Sequence, residues 1–299
     1  MKPNYYLSSR LFLSVLFTLV LFVACRNDQK SDRKTAGAPF ALPTDVQDLG
    51  LKSAIKSIRT QYYEAAGDRE NVETVGASDE EQDSYVAFDK EGNKTQEKWF
   101  DSDGNEVFKT QYNRNAQGKL IEKRGCYPDG TIETIDSLRY DAEGHWIQTD
   151  RYDGRGEPLI RLTYQWNEKG QKVRQAAYKP SGDLDQLIEF TYDRAGNRKQ
   201  ETHENGMGER ILKRVLEYTG TEVSAMKEYD NTDQLLSEAQ IAYDEHGLKL
   251  KEEIIGQKGK VLRQTDYSYT LDAQGNWTKQ IVFESQKPEM IIEREITYY

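Results

Sequence analysis

One short pattern returns along most of this chain, and it leaves few folds open. An aromatic residue ends an apolar–polar alternation, an Asp follows, and a Gly stands three residues after the Asp. The clearest copy is Tyr192-Asp193-Arg194-Ala195-Gly196-Asn197. An Asp at the start of a tight turn accepts a hydrogen bond from a backbone N–H two residues on. A Gly in the fourth place adopts the left-handed conformation that closes a type I turn with a bulge. Asp-x-x-Gly between two alternating runs is therefore a hairpin signal.

Close copies supply the turn residues Asp89 and Gly92, Asp101 and Gly104, Asp141 and Gly144, Asp153 and Gly156, Asp193 and Gly196, and Asp244 and Gly247; Trp166-Asn167…Gly170 follows the same plan. Looser copies are Tyr112-Asn113…Gly118, Tyr127…Gly130, Tyr178…Gly182 and Tyr269…Gly275. Tyr229-Asp230 carries Asp233 where Gly is expected, and the turns at Gly206 and at Gly256 to Gly259 lack the aromatic. Successive aromatics lie about 12 to 15 residues apart, one strand plus one turn. The period within segments is two: Ile188, Phe190 and Tyr192 oppose Glu189 and Thr191. Helical repeats need longer units and a period near 3.6.

These turns resemble the YD repeats of Rhs-type proteins, and more closely the short YD-repeat lipoproteins of diderm bacteria. The resemblance covers Leu51 to Tyr299. It implies serial antiparallel hairpins and no particular activity, because such proteins share a scaffold rather than a reaction. The self-cleaving core and C-terminal toxin of large Rhs proteins are not expected, since the repeats run to the last residues.

The expected fold class is all-β, with roughly 16 to 18 strands in a curled single sheet, trough or partly closed barrel. An open sheet rarely exceeds about 10 strands without curling. Its first strand and its last (Met290 to Tyr299) would be free edges or would meet. Leu51 to Ala65 fits a helix or a strand; its β-branched and aromatic content favours a strand. Ser78 to Asp83 reads as a solvated acidic loop.

The first residues suit export. Lys2 and Arg10 precede the mostly apolar run Leu11 to Ala24, and Cys25 follows. That run is short for a bilayer span, which needs about 20 residues, and fits a secretory signal. Phe22-Val23-Ala24-Cys25 resembles the lipobox of bacterial lipoproteins, which implies lipidation of Cys25. The expected organisation is a signal peptide over 1–24, a lipidated Cys and flexible tether over 25–45, and a β domain over 46–299. Arg26, in place of the Asp linked to inner-membrane retention, points to an outer-membrane anchor on either face.

Composition narrows the partners. The net charge of −10 becomes −12 once Lys2 and Arg10 leave with the signal; an acidic surface repels phosphate backbones, so nucleic acid is not expected. A mean hydropathy of −0.87 beside 11% aromatic residues suits a sheet with one apolar and one wet face.

No catalytic constellation stands out, so no enzyme, cofactor or metal is expected. Asp101-Ser102-Asp103-Gly104 starts like a calcium loop, but Glu106 and Tyr112 occupy the places of the required Gly and Glu. His145, His203 and His246 share no ligand spacing and are read as exposed turn residues; Cys126 is read as buried in a strand. Trp99, Tyr140, Trp146, Tyr152, Tyr164, Trp166, Tyr178, Tyr192 and Trp277 are candidates for one ligand-binding face, since Tyr and Trp offer a flat apolar body and a polar tip. The alternative is that they form the core. The expected role is a binding or structural module for a glycan or another envelope protein. The alternatives are an envelope hydrolase and a lipid-carrying trough.

Overall fold

The computed structural model describes residues 43–299. Cys25, the signal segment and most of the tether lie outside the described residues. The chain opens with a short helix, α1 (Asp45–Asp48), and continues as nineteen strands of one antiparallel sheet. These are β1 (Ile55–Gly67), β2 (Val72–Ala77), β3 (Asp83–Phe88), β4 (Lys94–Phe100), β5 (Glu106–Arg114) and β6 (Leu120–Cys126). Next come β7 (Ile132–Tyr140), β8 (Trp146–Asp153), β9 (Pro158–Trp166), β10 (Lys172–Tyr178), β11 (Leu184–Tyr192), β12 (Arg198–Asn205) and β13 (Arg210–Thr219). The last are β14 (Glu222–Tyr229), β15 (Leu235–Tyr243), β16 (Lys249–Gly256), β17 (Val261–Leu271), β18 (Trp277–Glu284) and β19 (Lys287–Tyr298).

The sheet closes on itself. β1 pairs with β19 from Ile55↔Tyr298 to Glu64↔Met290, and its other edge takes β3 from Ser57↔Ala87 to Thr60↔Ser84. The upper part of that edge pairs with β2, so eighteen strands form the wall and β2 extends it. The all-β curled sheet is as expected, and of the two outcomes for its first and last strands they meet, so the curl closes fully. Pairing the two edge strands removes the unsatisfied N–H and C=O groups that an open sheet would leave. The segment read as a first strand is β1.

From Asp89 to Asn205 the turns repeat every 26 residues at each end of the barrel, two hairpins per repeat. At one end they start at Asp89, Asn115, Asp141, Asn167 and Asp193, and at the other at Asp101, Tyr127, Asp153, Lys179 and Asn205. In the turn at Asp153, Gly156 N donates to the Asp153 carbonyl at 3.0 Å, and Arg155 N and Glu157 N both reach Asp153 Oδ1 at 2.9 Å. Gly156 sits at φ +86°. The looser copies start elsewhere than the aromatic spacing suggests: at Asn115 rather than Asn113, and at Tyr127 itself. Gly208, not Gly206, holds the left-handed place, and Asp233 adopts φ +64° in the turn that lacks Gly.

Residues 43–54 line one end, the tether end. Thr44 caps α1 in a capping box with Gln47. Val46 packs with Ile55, Ile58 and Phe88, and its N–H donates to the Gly92 carbonyl at 3.0 Å. Asp45 accepts from Lys94 N and from Arg114. The part of the tether from Thr44 onward is therefore docked to the barrel. Ser78 caps the acidic loop, accepting from Glu80 N and Glu81 N at 3.2 Å.

Candidate functional site: the lumen

Side chains alternate across a β wall, and the register carries each face around the barrel. One inward row runs Phe190, Glu201, Arg214, Glu228, Ser237; another runs Leu216, Met226, Ala239, Ile254, Arg263. The outward rows are polar. One runs Glu122, Ser137, Asp150, Arg161, and another Arg174, Glu189, Thr202, Lys213. Outer ion pairs cross the strands, such as Arg161–Asp150 at 2.6 Å and Lys227–Glu217 at 2.8 Å. A membrane-crossing barrel presents an apolar band of about 25 Å to lipid. These rows interrupt any such band, so the wall is built to face water.

Each bulged turn at the tether end adds one residue to the strand that follows. In consequence the first and fourth residues of those strands both point inward. A 26-residue spacing as far as Arg198 and Glu201, and a less regular one beyond, stacks them into two rings: Lys94, Leu120, Trp146, Lys172, Arg198, Lys249 and Trp277 nearest the turns, then Glu97, Lys123, Thr149, Gln175, Glu201, Glu252 and Gln280. The rings pair with each other: Arg198–Glu201 at 2.9 Å, Lys249–Glu252 at 3.4 Å, Lys172 to Gln175 at 3.2 Å, and Lys94–Glu97. This i,i+3 pairing after four of the turns is the signal in the sequence that an alternation of period two passes over.

The same added residue sorts the nine aromatic candidates. Trp99, Tyr140, Trp146, Tyr164, Trp166, Tyr192 and Trp277 face the lumen. Tyr152 and Tyr178 face outward, because the bulge leaves the residue before each far-end turn in the opposite phase; Tyr152 pairs with outward Ile135, and Tyr178 with outward Arg161. The inward pre-turn aromatics tether the wall. Tyr140 Oη donates to the Leu120 carbonyl at 2.8 Å, Trp166 Nε1 to Trp146 at 2.9 Å, and Tyr192 Oη to Lys172 at 2.6 Å. Each reaches 20 residues back, giving the polar tip of a half-buried ring the partner it needs.

Two charged clusters divide the lumen. On one side Tyr112 donates to Glu97; burial and the Glu97 carboxylate push its phenol up. Burial pushes the Lys123 ammonium down, and Arg151 grips Asp136 through two hydrogen bonds of 2.6 and 2.8 Å. Trp146 packs on Tyr164 with ring centres 4.5 Å apart. On the other side Glu201 is 8% exposed and is surrounded by Arg198, Arg214 and His203. Burial alone would raise its carboxyl; the His203 hydrogen bond and the two guanidinium groups outweigh that and hold it at about 2.

His203 is thus a buried mid-strand residue rather than an exposed turn residue, fixed by its 5% exposure. His145 is half-buried, 2.9 Å from Asp141 through Nδ1 and stacked on Trp166. Asp141, Glu143 and His145 converge closely enough to share a cation. Cys126 is buried at the end of β6.

Between the tether end and β12–β19 lies a cavity of about 570 Å³. Of the nine aromatics, Trp277 lines it, joined by Tyr243. Apolar lining comes from Leu216, Met226, Ile241 and Ile254, and charged lining from Glu201, Arg214, Glu228, Glu252 and Arg294.

No known protein family and no curated protein matches the chain by sequence. Among solved structures it is similar to a porin-like protein from Bacteroides uniformis ATCC 8492, at 12% identity and a TM-score of 0.42, over 82% of this chain and 98% of that one. It is also similar to the Tc holotoxin pore of Photorhabdus luminescens, at 10% identity and a TM-score of 0.18, over 69% of this chain and 16% of that one. The barrel is established by its own strand pairing, and at these scores neither likeness carries a role across.

Proposed function

We propose that this chain is a cell-envelope lipoprotein, anchored through Cys25, whose water-facing barrel binds a small glycan in its lumen without transforming it. The observation that carries this reading is the cavity of about 570 Å³ enclosed by the wall, within the range of pockets that hold small molecules. Its lining mixes an indole and a phenol with many fixed polar groups, which suits a ligand that is itself part apolar face and part hydroxyl. A lipid carrier would need a lining of Leu, Ile and Phe with few charges, and the charged rings count against it. A hydrolase would need an acid poised to give up its proton near neutrality, and Glu201 is held ionised. The bulged Asp-x-x-Gly turns support the YD-repeat resemblance.

The test is native mass spectrometry of the full lipoprotein recovered gently from its own cells. A reproducible added mass of one small saccharide, together with the acyl chains, is expected. A bare acylated chain under several gentle conditions would overturn constitutive glycan binding.

A further inference from the structure

Most cations of the lumen are matched by a carboxylate. Arg114 has Asp45, Arg151 has Asp136, Arg198 has Glu201, Arg214 has Glu201 and Glu228, Lys94 has Glu97 and Lys249 has Glu252. Arg263 and Lys52 also line the cavity without an ion pair, but both are exposed, and the buried Lys123 feels the carboxylates of Asp136 and Glu97. Arg294 differs. It lies on β19, faces the cavity, and among the described residues takes part in no ion pair or hydrogen bond; its Nε is buried without a partner. The groups that act on it are the phenols of Tyr62 and Tyr269, both uncharged at neutral pH, and burial pushes its guanidinium down to about 10.

An Arg is still charged there at neutral pH. A deep charge without a counter-ion is costly, so its retention on a lumenal wall needs a reason. The guanidinium is also held in place: its carbon stands 3.4 Å from the centre of the Trp277 ring, and Trp277 packs on Tyr269 with ring centres 6.2 Å apart. Stacking fixes the plane of the fork and leaves its edge for a planar anion. A carboxylate fits that edge through two parallel hydrogen bonds. Of the acids in the lining, Glu201 and Glu228 face Arg214, Glu252 pairs with Lys249, and Asp48 and Glu222 stand at the tether end; none of them pairs with Arg294.

Resting on the glycan reading above, we propose that the ligand is an acidic saccharide whose carboxylate pairs with Arg294, positioned by Trp277. The cavity volume suits one or two sugar rings, and an incoming carboxylate supplies the counter-charge that Arg294 lacks.

The full chain in detergent is titrated with digalacturonic acid, its dimethyl ester and cellobiose, with calorimetry as the readout. The acid should bind about tenfold or more tighter than the ester, as expected for a hydrogen-bonded charge pair. Arg294→Gln should erase that preference and Arg294→Lys should keep part of it. Equal binding of acid and ester to the unmodified chain would overturn the role of Arg294 and leave the glycan reading standing; this comparison needs no variant to fold. Binding of none of the three at millimolar concentration would overturn both. Retention of the full acid preference in a folded Arg294→Gln protein would overturn the assignment to this residue.

Discussion

Asn276 and Lys52, 224 residues apart, hold each other as two strand residues would. Lys52 N donates to Asn276 Oδ1 at 2.8 Å, and Asn276 Nδ2 donates to the Lys52 carbonyl at 2.9 Å. The same Nδ2 reaches Tyr298 Oη at 2.9 Å, and the Asn276 backbone N–H donates to Asp272. The residue is 3% exposed. One amide therefore joins the segment that enters the barrel, the turn between β17 and β18, and the end of the last strand.

Replacing this amide strips partners from three groups at once. Asn276→Ala should cost about 2–3 kcal/mol, the range for leaving buried donors and acceptors unsatisfied. Asn276→Asp has nearly the same shape but sets a second oxygen against the Lys52 carbonyl, so it should recover little. Denaturant melts of the full chain measure both. A loss below about 0.5 kcal/mol for the Ala variant would mean that this contact does not hold the closure.

Two glycines in one turn should respond differently. Gly156 has φ +86° with nothing near its missing Cβ, so Gly156→Ala bears only the left-handed strain, about 1–2 kcal/mol. Gly154 has ordinary backbone angles, but a Cβ there would run into the Ile132 carbonyl. Gly154→Ala must push two strands apart and should be the worse substitution. Thermal melts of the pair would show the order, and Gly156→Asn should fall between wild type and Gly156→Ala, since Asn tolerates that conformation.

How much of this was legible depends on the range of the interaction. Tyr192-Asp193…Gly196 announces its turn because every bond in the turn is local. Ile188 and Phe190 announce a half-buried strand through the same local alternation. The strand count makes curling legible and leaves meeting edges as one of two outcomes, but the choice rests on Ile58↔Ile296 and Ile58↔Val86, pairings that no short window contains. The facing of Tyr152 was missed for a subtler reason: one bulge residue after Gly144 inverts the phase, so an aromatic in the same motif as Tyr140 ends on the other side. His203 reads as a turn residue when the turn is centred on Gly206; with the turn starting at Asn205 and closing on Gly208, His203 belongs to the strand. Arg294 carries no local signal, because its isolation is a property of the neighbours that lack acids.

Glu201 makes the barrel acid-sensitive. Its carboxyl lies below its ordinary value in the folded state, so its contribution is fully present above the unfolded value near 4.5. It is lost as pH falls from there through about 2. The drop of roughly two and a half pH units corresponds to on the order of 3 kcal/mol. Denaturant-derived stability of the full chain should therefore fall between pH 5 and pH 2. Glu201→Gln should be strongly destabilised at pH 7, because Arg198, Arg214 and His203 lose their shared partner. It should also show a shallower acid slope than wild type. An unchanged slope would place the acid sensitivity elsewhere.

The polar outer wall sets the relation of the barrel to the membrane. Rows such as Glu122, Ser137, Asp150, Arg161 would meet lipid if the strands crossed it, and each Arg or Lys at mid-depth costs about 2–4 kcal/mol. The acyl chains proposed on Cys25 are then the whole attachment, and cutting the tether should free the barrel. The full lipoprotein is reconstituted into phosphatidylethanolamine–phosphatidylglycerol vesicles, and a protease site placed between Arg26 and Pro43 is cleaved. The released fragment should stay in the supernatant on sedimentation, with an unchanged β signal in circular dichroism. Co-sedimentation of the cleaved barrel with the vesicles, resistant to high salt, would show instead that the strands themselves engage lipid.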